Sequence, residues 1–167
     1  ICACLVGSEM CIRDRRNMIY WKDVPYGNGG SVVAIARDKS GKEVARHRIE
    51  TAGKAVALRI EAETPTDWKA DGMDLQYINV TVIDKKGRPV WDYNEPLTLQ
   101  MEGAARLVAL DNGDHYTDEL FHGITSKRMY QGRMQIILRS DQEAGNVTVK
   151  ISSAGLKGTL RLKTIKE

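Results

Sequence analysis

The sequence predicts an all-β fold, and three observations support that prediction. Apolar side chains alternate with polar ones along most of the chain after residue 16, which is the period of half-buried strands. No segment sustains the spacing of an amphipathic helix with caps at its ends. Glycine-containing turns, among them Asp84-Lys85-Lys86-Gly87, separate the alternating segments at short intervals. Short strands and frequent turns together favour a sandwich of two antiparallel sheets.

The predicted strands form two groups, which meet at the linker of residues 51–54. The first group holds strands at 18–22, 31–38 and 43–50; two or three strands are marginal alone, so residues 16–52 are expected to be the end of a second, truncated sandwich whose other strands lie upstream. Residues 53–167, with about seven strands, have the size of one immunoglobulin-like sandwich. Its alternating apolar positions are Val56, Leu58, Ile60, Ile78, Val80, Val82, Leu97, Leu99, Met101, Met134, Ile136, Leu138, Val147, Val149, Ile151, Leu160 and Leu162.

The first fifteen residues differ from the rest of the chain. All three cysteines, Cys2, Cys4 and Cys11, lie there, and a fourth zinc ligand is not evident nearby. The segment also lacks the basic start of a signal peptide. One back-translation of residues 5–14 resembles the transposon-end adapter that is ligated to DNA in library preparation. We therefore expect residues 1–15 to be adapter read-through and not a domain, joined to a fragment of a longer gene.

Composition and motifs exclude several classes of function. The chain has 25 basic and 22 acidic side chains, with both signs interspersed, so it lacks the basic stripe of a nucleic-acid-binding protein. No apolar run approaches the roughly 20 residues of a membrane-spanning helix. A Gly-x-Ser-x-Gly elbow, a zinc-binding histidine pair and a phosphate-binding glycine loop before a helix are all missing. We expect no catalytic residue, metal site, cofactor, nucleic-acid partner or membrane span.

Two short segments contain the candidate site residues. Asp111-Asn112-Gly113-Asp114 precedes a histidine and is either a turn, in which Asp and Asn bond their own backbone, or a loop for a small cation or a sugar. The turn is favoured, because calcium takes more oxygen ligands than this segment offers. Trp91-Asp92-Tyr93 is the best candidate for an exposed aromatic group, although packing accounts for most aromatics in a sandwich. The candidates for a sugar or interdomain contact are Trp91, Tyr93, Asp111, Asn112 and Asp114.

The order of several motifs resembles a known family. Trp21-Lys22-Asp23-Val24-Pro25-Tyr26, the strand at 31–36, the segment 41–45 and Thr51-Ala52-Gly53-Lys54 resemble the end of a β-sandwich domain that follows the catalytic barrel in bacterial β-galactosidases of glycoside hydrolase family 2. Downstream, residues 70–75, 80–87, 108–114, 130–133 and 144–147 resemble the immunoglobulin-like domain that comes next. The resemblance covers about residues 18–156 and departs from the family at the turn of residues 27–30 and at Trp91-Asp92.

This resemblance implies a non-catalytic C-terminal accessory region. The two catalytic glutamates of the family lie on its barrel, and no position of this sequence matches them. The implied partners are the upstream barrel and sandwich domains of the same polypeptide and the glycan substrate of the parent enzyme, with a homo-oligomer as a further option. The implied location is periplasmic or secreted. Two alternatives stay open: an immunoglobulin-like repeat of a bacterial surface adhesin, and a carbohydrate-binding module.

Overall fold

The computed structural model describes residues 2–5, 12–13, 19–20 and 29–166, and these residues contain strands and no helix. The all-β prediction is confirmed. The chain divides into two compact units, Ile1–Thr51 and Ala52–Glu167. Cys11, Trp21 and residues 27–28 of the turn at 27–30 lie outside the described residues.

Five antiparallel strands are described in the first unit. They are β1 (Cys2–Leu5), β2 (Ile12–Arg13), β3 (Ile19–Tyr20), β4 (Ser31–Arg37) and β5 (Glu43–Glu50). A three-stranded sheet has the order β1-β4-β5, and β2 pairs with β3. The β4–β5 hairpin closes at Asp38, whose carboxylate accepts hydrogen bonds from the backbone N–H of Ser40 at 2.8 Å and of Lys42 at 3.0 Å. Gly41 adopts a φ of 84°, which an L-residue rarely does.

The second unit is a sandwich of two four-stranded antiparallel sheets, with the orders β6-β7-β11-β9 and β10-β8-β12-β13. Its strands are β6 (Ala57–Ala62), β7 (Leu75–Ile83), β8 (Pro96–Gly103), β9 (Ala105–Asp111), β10 (Ser126–Arg128), β11 (Arg133–Ser140), β12 (Asn146–Ser153) and β13 (Leu156–Lys163).

The core of this unit lies between the two sheets. Alternate residues of β7 and β11 are fully buried, as are the facing positions of β8 and β12, so period-two burial follows the alternation of the sequence. Trp68 joins this core with no exposed surface, and its indole N–H donates to the carbonyl of Asp74 at 3.1 Å. Packing, rather than a sugar platform, therefore accounts for Trp68.

The sandwich has eight strands where the sequence indicated about seven, and two of the eight, β9 and β10, lack a clear period-two signal. Strand β9 pairs with β11 through a register shift, where Ile137 faces Ala109 and Leu138 faces Leu107. Val108 is the extra residue of this bulge, so Leu107 and Leu110 both contribute to the core although their spacing is not even. The second strand without a sequence signal, β10, has only three residues.

Candidate functional site

Polar side chains form a row across the outer face of the β6-β7-β11-β9 sheet. Asn79 of β7 lies opposite Gln135 of β11, which lies opposite Asp111 of β9. Two residues further along these strands, Thr81 lies opposite Arg133. Because successive side chains of a strand alternate between faces, and the intervening positions are buried in the core, these five residues share the solvent side of the sheet.

Hydrogen bonds fix the orientation of part of this row. The Gln135 amide donates to Oδ1 of Asn79 at 3.1 Å, and the Asn79 amide donates to Oε1 of Glu63 at 3.1 Å. Oδ1 of Asp111 accepts from the backbone N–H of Gly113 at 2.8 Å. Among the described residues, Oε1 of Gln135 and Oδ2 of Asp111 have no protein donor, and both are available to a ligand.

The row lines an open cavity of about 390 Å³. We name this cavity the β7–β11–β9 groove. Its polar lining residues are Asn79, Thr81, Asp111, Asn112, Arg133 and Gln135.

Trp91 stands beside the groove and contacts one of its lining residues. The guanidinium carbon of Arg133 lies 4.2 Å from the centroid of the Trp91 ring, and the Trp91 side chain is half exposed. Such a stacking contact orients a guanidinium and contributes about 0.5–1 kcal/mol at an exposed position. The residue before Trp91 is bonded to β7: the N–H of Val90 donates to the carbonyl of Val82 at 2.9 Å. This bond holds the backbone next to Trp91 at the end of β7.

Tyr93 has different surroundings from Trp91. Its hydroxyl lies 2.8 Å from the hydroxyl of Ser153, and its ring packs against the core of the sandwich. The structure thus separates the two aromatic candidates: Tyr93 belongs to the packing of the sandwich, and Trp91 to the outer face of the sheet.

The acidic segment forms consecutive side-chain-to-backbone turns. Asn112 is buried; its amide donates to the carbonyl of Arg128 at 2.9 Å, and its Oδ1 accepts from the N–H of Asp114 at 3.1 Å. Asp114 in turn accepts from the N–H of Tyr116 at 3.0 Å. Within the described residues, no three acidic, histidine or cysteine side chains are grouped as metal ligands. Asp111 and Asn112 line the groove, whereas Asp114 shapes the loop that follows.

The carboxylates whose pKa values are clearly shifted all have lowered values, and most of them accept backbone hydrogen bonds within turns. The Arg88 guanidinium and the N–H of Gly53 hold the pKa of Asp84 well below its usual range. The N–H groups of Met73 and Asp74 likewise lower the pKa of Asp71. For Asp38 and Glu43, the Ser40 hydroxyl and the Arg46 guanidinium are the largest causes of a lowered pKa. A glycosidase acid requires a shift in the opposite direction.

The sequence pointed to two of the groove residues, Asp111 and Asn112, and not to Asn79, Arg133 or Gln135. Gln135 and Asn79 are visible in the sequence as the polar members of alternating strands. Alternation shows that each of them shares a side with the residues two positions away on its own strand, but it does not show that β7 and β11 are adjacent. Strand pairing supplies that information.

Residues 58–160 match the sequence model of the glycoside hydrolase family 2 C-terminal domain 5. The β-galactosidase BoGH2A of Bacteroides ovatus is 32% identical over 128 residues, which are 77% of this chain and 15% of that protein. The chain belongs to glycoside hydrolase family 2. The predicted family resemblance is thereby confirmed.

Other comparisons agree with this assignment. The chain is 31% identical to a β-glucuronidase of Formosa agariphila over 111 residues, 65% of this chain and 11% of that protein. A solved family 2 glycosyl hydrolase from Bacteroides cellulosilyticus superposes with a TM-score of 0.83 at 26% identity, covering 96% of this chain and 22% of that one. The chain thus spans less than a fifth of the curated relatives that it matches. These matches favour the glycosidase over the surface-adhesin and free-module alternatives.

In the described part of the chain, no helix has the length and apolar character needed to cross a membrane.

Proposed function

We propose that this chain is a non-catalytic C-terminal accessory domain of a family 2 glycosidase, and that it packs against other domains of the same polypeptide. The match to a C-terminal domain model supports this, as does the greater length of the curated relatives. The observation that carries the packing role is an exposed apolar loop between β9 and β10.

Three large side chains of that loop face solvent. Tyr116 is 97% exposed, Leu120 62% and Phe121 40%. We name residues 116–121 the β9–β10 loop. Single exposed apolar side chains are ordinary, but a group of them on one short segment is typical of an interaction surface.

A buried ammonium group holds this loop in place. Lys127 is 2% exposed; its Nζ donates to the carbonyls of Glu119 and Leu120, each at 3.1 Å, and lies 4.1 Å from the centroid of the Phe121 ring. The N–H of Leu110 also donates to the carbonyl of Phe121 at 2.7 Å. A surface fixed in this way loses less conformational entropy when a neighbouring domain covers it.

The use of the carboxylates supports a non-catalytic role. Asp38, Asp71 and Asp84 accept backbone N–H groups within turns, which stabilises their charged form. A carboxylate that is stabilised as an anion is a poor proton donor at neutral pH. By resemblance to the family, acid/base catalysis belongs to the barrel of the parent enzyme.

The packing role is tested by replacing Tyr116 and Leu120 together with serine, in this chain and in the full-length polypeptide. Because both side chains are exposed in this chain, we expect its Tm to change by no more than about 1 °C. In the full-length protein we expect the Tm to fall by about 3 °C or more, since an interdomain contact is lost. Thermal unfolding of the four proteins, followed by circular dichroism, measures both effects.

Met73→Ser is the matched control, because Met73 is 72% exposed on a different loop. It should leave both Tm values unchanged. Equal Tm values for the full-length protein with and without the double substitution would contradict the packing role.

The non-catalytic part of the proposal is checked separately: turnover of p-nitrophenyl β-galactoside or β-glucuronide by this chain would contradict it. The periplasmic or secreted location and a homo-oligomer stay predictions.

A further inference from the structure

The β7–β11–β9 groove is lined by a cation, Arg133, and an anion, Asp111, that are not paired with each other. Arg133 is exposed, contacts the Trp91 ring, and forms no ion pair with a carboxylate among the described residues. Asp111 uses Oδ1 for the backbone N–H of Gly113 and keeps Oδ2 free. Both groups line the same cavity. The groove therefore offers a group that only donates hydrogen bonds beside one that only accepts them.

This combination selects a ligand by its hydrogen-bonding groups. Because the lining carries one charge of each sign, a charged ligand is attracted by one of these residues and repelled by the other, whereas a neutral ligand is repelled by neither. A hydroxyl group satisfies both residues, because it accepts from a guanidinium and donates to a carboxylate. The free Oε1 of Gln135 adds a further hydrogen-bond acceptor. The hydroxyl of Thr81 can both donate and accept a hydrogen bond. A molecule with several adjacent hydroxyls and no charge matches this lining.

The groove is also ordered before any ligand arrives. Hydrogen bonds to Glu63 and Gln135 orient the Asn79 amide, and the Trp91 ring orients Arg133. Neighbouring strands lie about 4.8 Å apart, so the row from Asn79 through Gln135 to Asp111 extends about 10 Å across three strands. An elongated polyhydroxylated ligand can contact the whole row, and little side-chain entropy is lost when it binds.

We infer that the β7–β11–β9 groove is a binding site for a neutral oligosaccharide. This inference goes beyond the proposed packing role: it gives the accessory domain a glycan contact of its own. With few aromatic contacts and an open cavity, the affinity is expected to be weak, with a Kd of about 1 mM, near −4 kcal/mol.

A second cavity of this unit supplies a matched control. It is about 310 Å³ in size, on the outer side of the β10-β8-β12-β13 sheet, and is lined by Gln100, Lys150 and Lys157 without a carboxylate. Lys150 is paired with Glu102 at 3.2 Å. Gln100 and Gln135 are both glutamines on the solvent side of a strand, so the two side chains have the same chemistry and differ only in the cavity that they line.

The test is a titration of the nitrogen-15-labelled chain with lactose, followed by amide chemical shifts. We expect saturable shifts at Gly113, Arg133 and Gln135. Gln135→Ala should weaken binding by about fivefold to tenfold, since it removes a ligand contact and the hydrogen bond that Oδ1 of Asn79 accepts. Gln100→Ala should leave the Kd unchanged. The amide spectra of both variants also show whether each remains folded.

Three results would overturn the inference: no saturable shift with lactose or cellobiose at tens of millimolar, binding that Gln135→Ala leaves intact in a folded protein, or tighter binding of glucuronate than of lactose. None of these bears on the β9–β10 loop, which forms no part of the row. Failure of the glycan site therefore leaves the packing proposal standing, and a failed packing test leaves the glycan site standing.

Discussion

At the scale of single residues, Asp84 organises the turn that follows β7. The residue is 3% exposed, and its carboxylate accepts from the N–H groups of Gly53, Lys86 and Arg88 at 2.8–2.9 Å. The Arg88 guanidinium completes the arrangement with an ion pair at 2.6 Å. The turn at residues 84–87 was predicted from its sequence, but the bond to Gly53, 31 positions away, was not.

Replacing Asp84 tests this arrangement through pH. A carboxyl whose pKa is lowered by folding contributes stability above its unfolded pKa, near 3.8, and that contribution is lost as the pH falls below this value. We expect Asp84→Asn to lower the Tm by at least about 5 °C near pH 7 and by clearly less at about pH 2 to 3. Thermal unfolding at both pH values measures the difference.

Asp67→Asn is the control for this substitution, because Asp67 is an exposed aspartate whose carboxylate forms no hydrogen bond or ion pair with another of the described residues. Its effect should be small at either pH. A Tm difference for Asp84→Asn that stays constant between neutral and acid pH would show that the charge of Asp84 does not stabilise the fold.

At the scale of elements, the turn between β10 and β11 depends on the glycine at its second position. Tyr130 and Arg133 exchange backbone hydrogen bonds at 3.0 and 3.3 Å around Gln131 and Gly132, whose φ values are 49° and 66°. Two residues with positive φ are the mark of a type I′ turn. A Cβ on Gly132 would lie 2.1 Å from the carbonyl oxygen of Val90, so the turn is packed against the backbone that leads to Trp91.

Alanine at position 132 should therefore be far more damaging than alanine at another glycine with a similar φ. Gly87 has a φ of 75° and no atom within 4 Å of an added Cβ, so Gly87→Ala carries the backbone cost alone, about 1 kcal/mol. Gly132→Ala adds a clash with backbone, and we expect a loss of about 3 kcal/mol or more. Urea unfolding of both variants compares the free energies; similar losses would mean that the Val90 backbone moves away freely.

At the scale of the whole molecule, the second unit has the means to fold alone. Its core joins residues from both four-stranded sheets, including Trp68, Ile78, Leu110, Ile136 and Val149, each with no exposed surface. In the first unit, β5 is exposed along almost its whole length. Among the side chains of this unit that the structure describes, Ile35 of β4 is the one buried apolar side chain. A few strands that bury as little apolar surface as these described ones are marginal in water.

We therefore expect residues 52–167, expressed alone, to unfold in one cooperative transition. In the complete chain, the amides of β4 and β5 should exchange with solvent much faster than those of β7 and β11, because the latter lie in the interior of a packed sheet. Calorimetry of the shortened chain and hydrogen exchange of the complete one measure these properties. A broad, non-cooperative transition of residues 52–167 would contradict the independence of this unit.

Period-two alternation is a local property, and so the sequence by itself determined much of this molecule. It predicted the absence of helices, the inward positions of β7, β8, β11 and β12, and the turn at residues 84–87. The order of its motifs also indicated the family. These features depend on the chemistry of neighbouring residues, which a single chain shows directly.

The tertiary structure alone decided which strands are neighbours. The bulge at Val108 disrupts the alternation of β9, and nothing local states that β11 lies between β7 and β9. That pairing brings Asn79, Gln135 and Asp111, residues far apart in the chain, into one row, and places Arg133 against Trp91. Hydrogen bonds between strands form across any sequence distance, which is why the groove became visible only once the sheet was assembled.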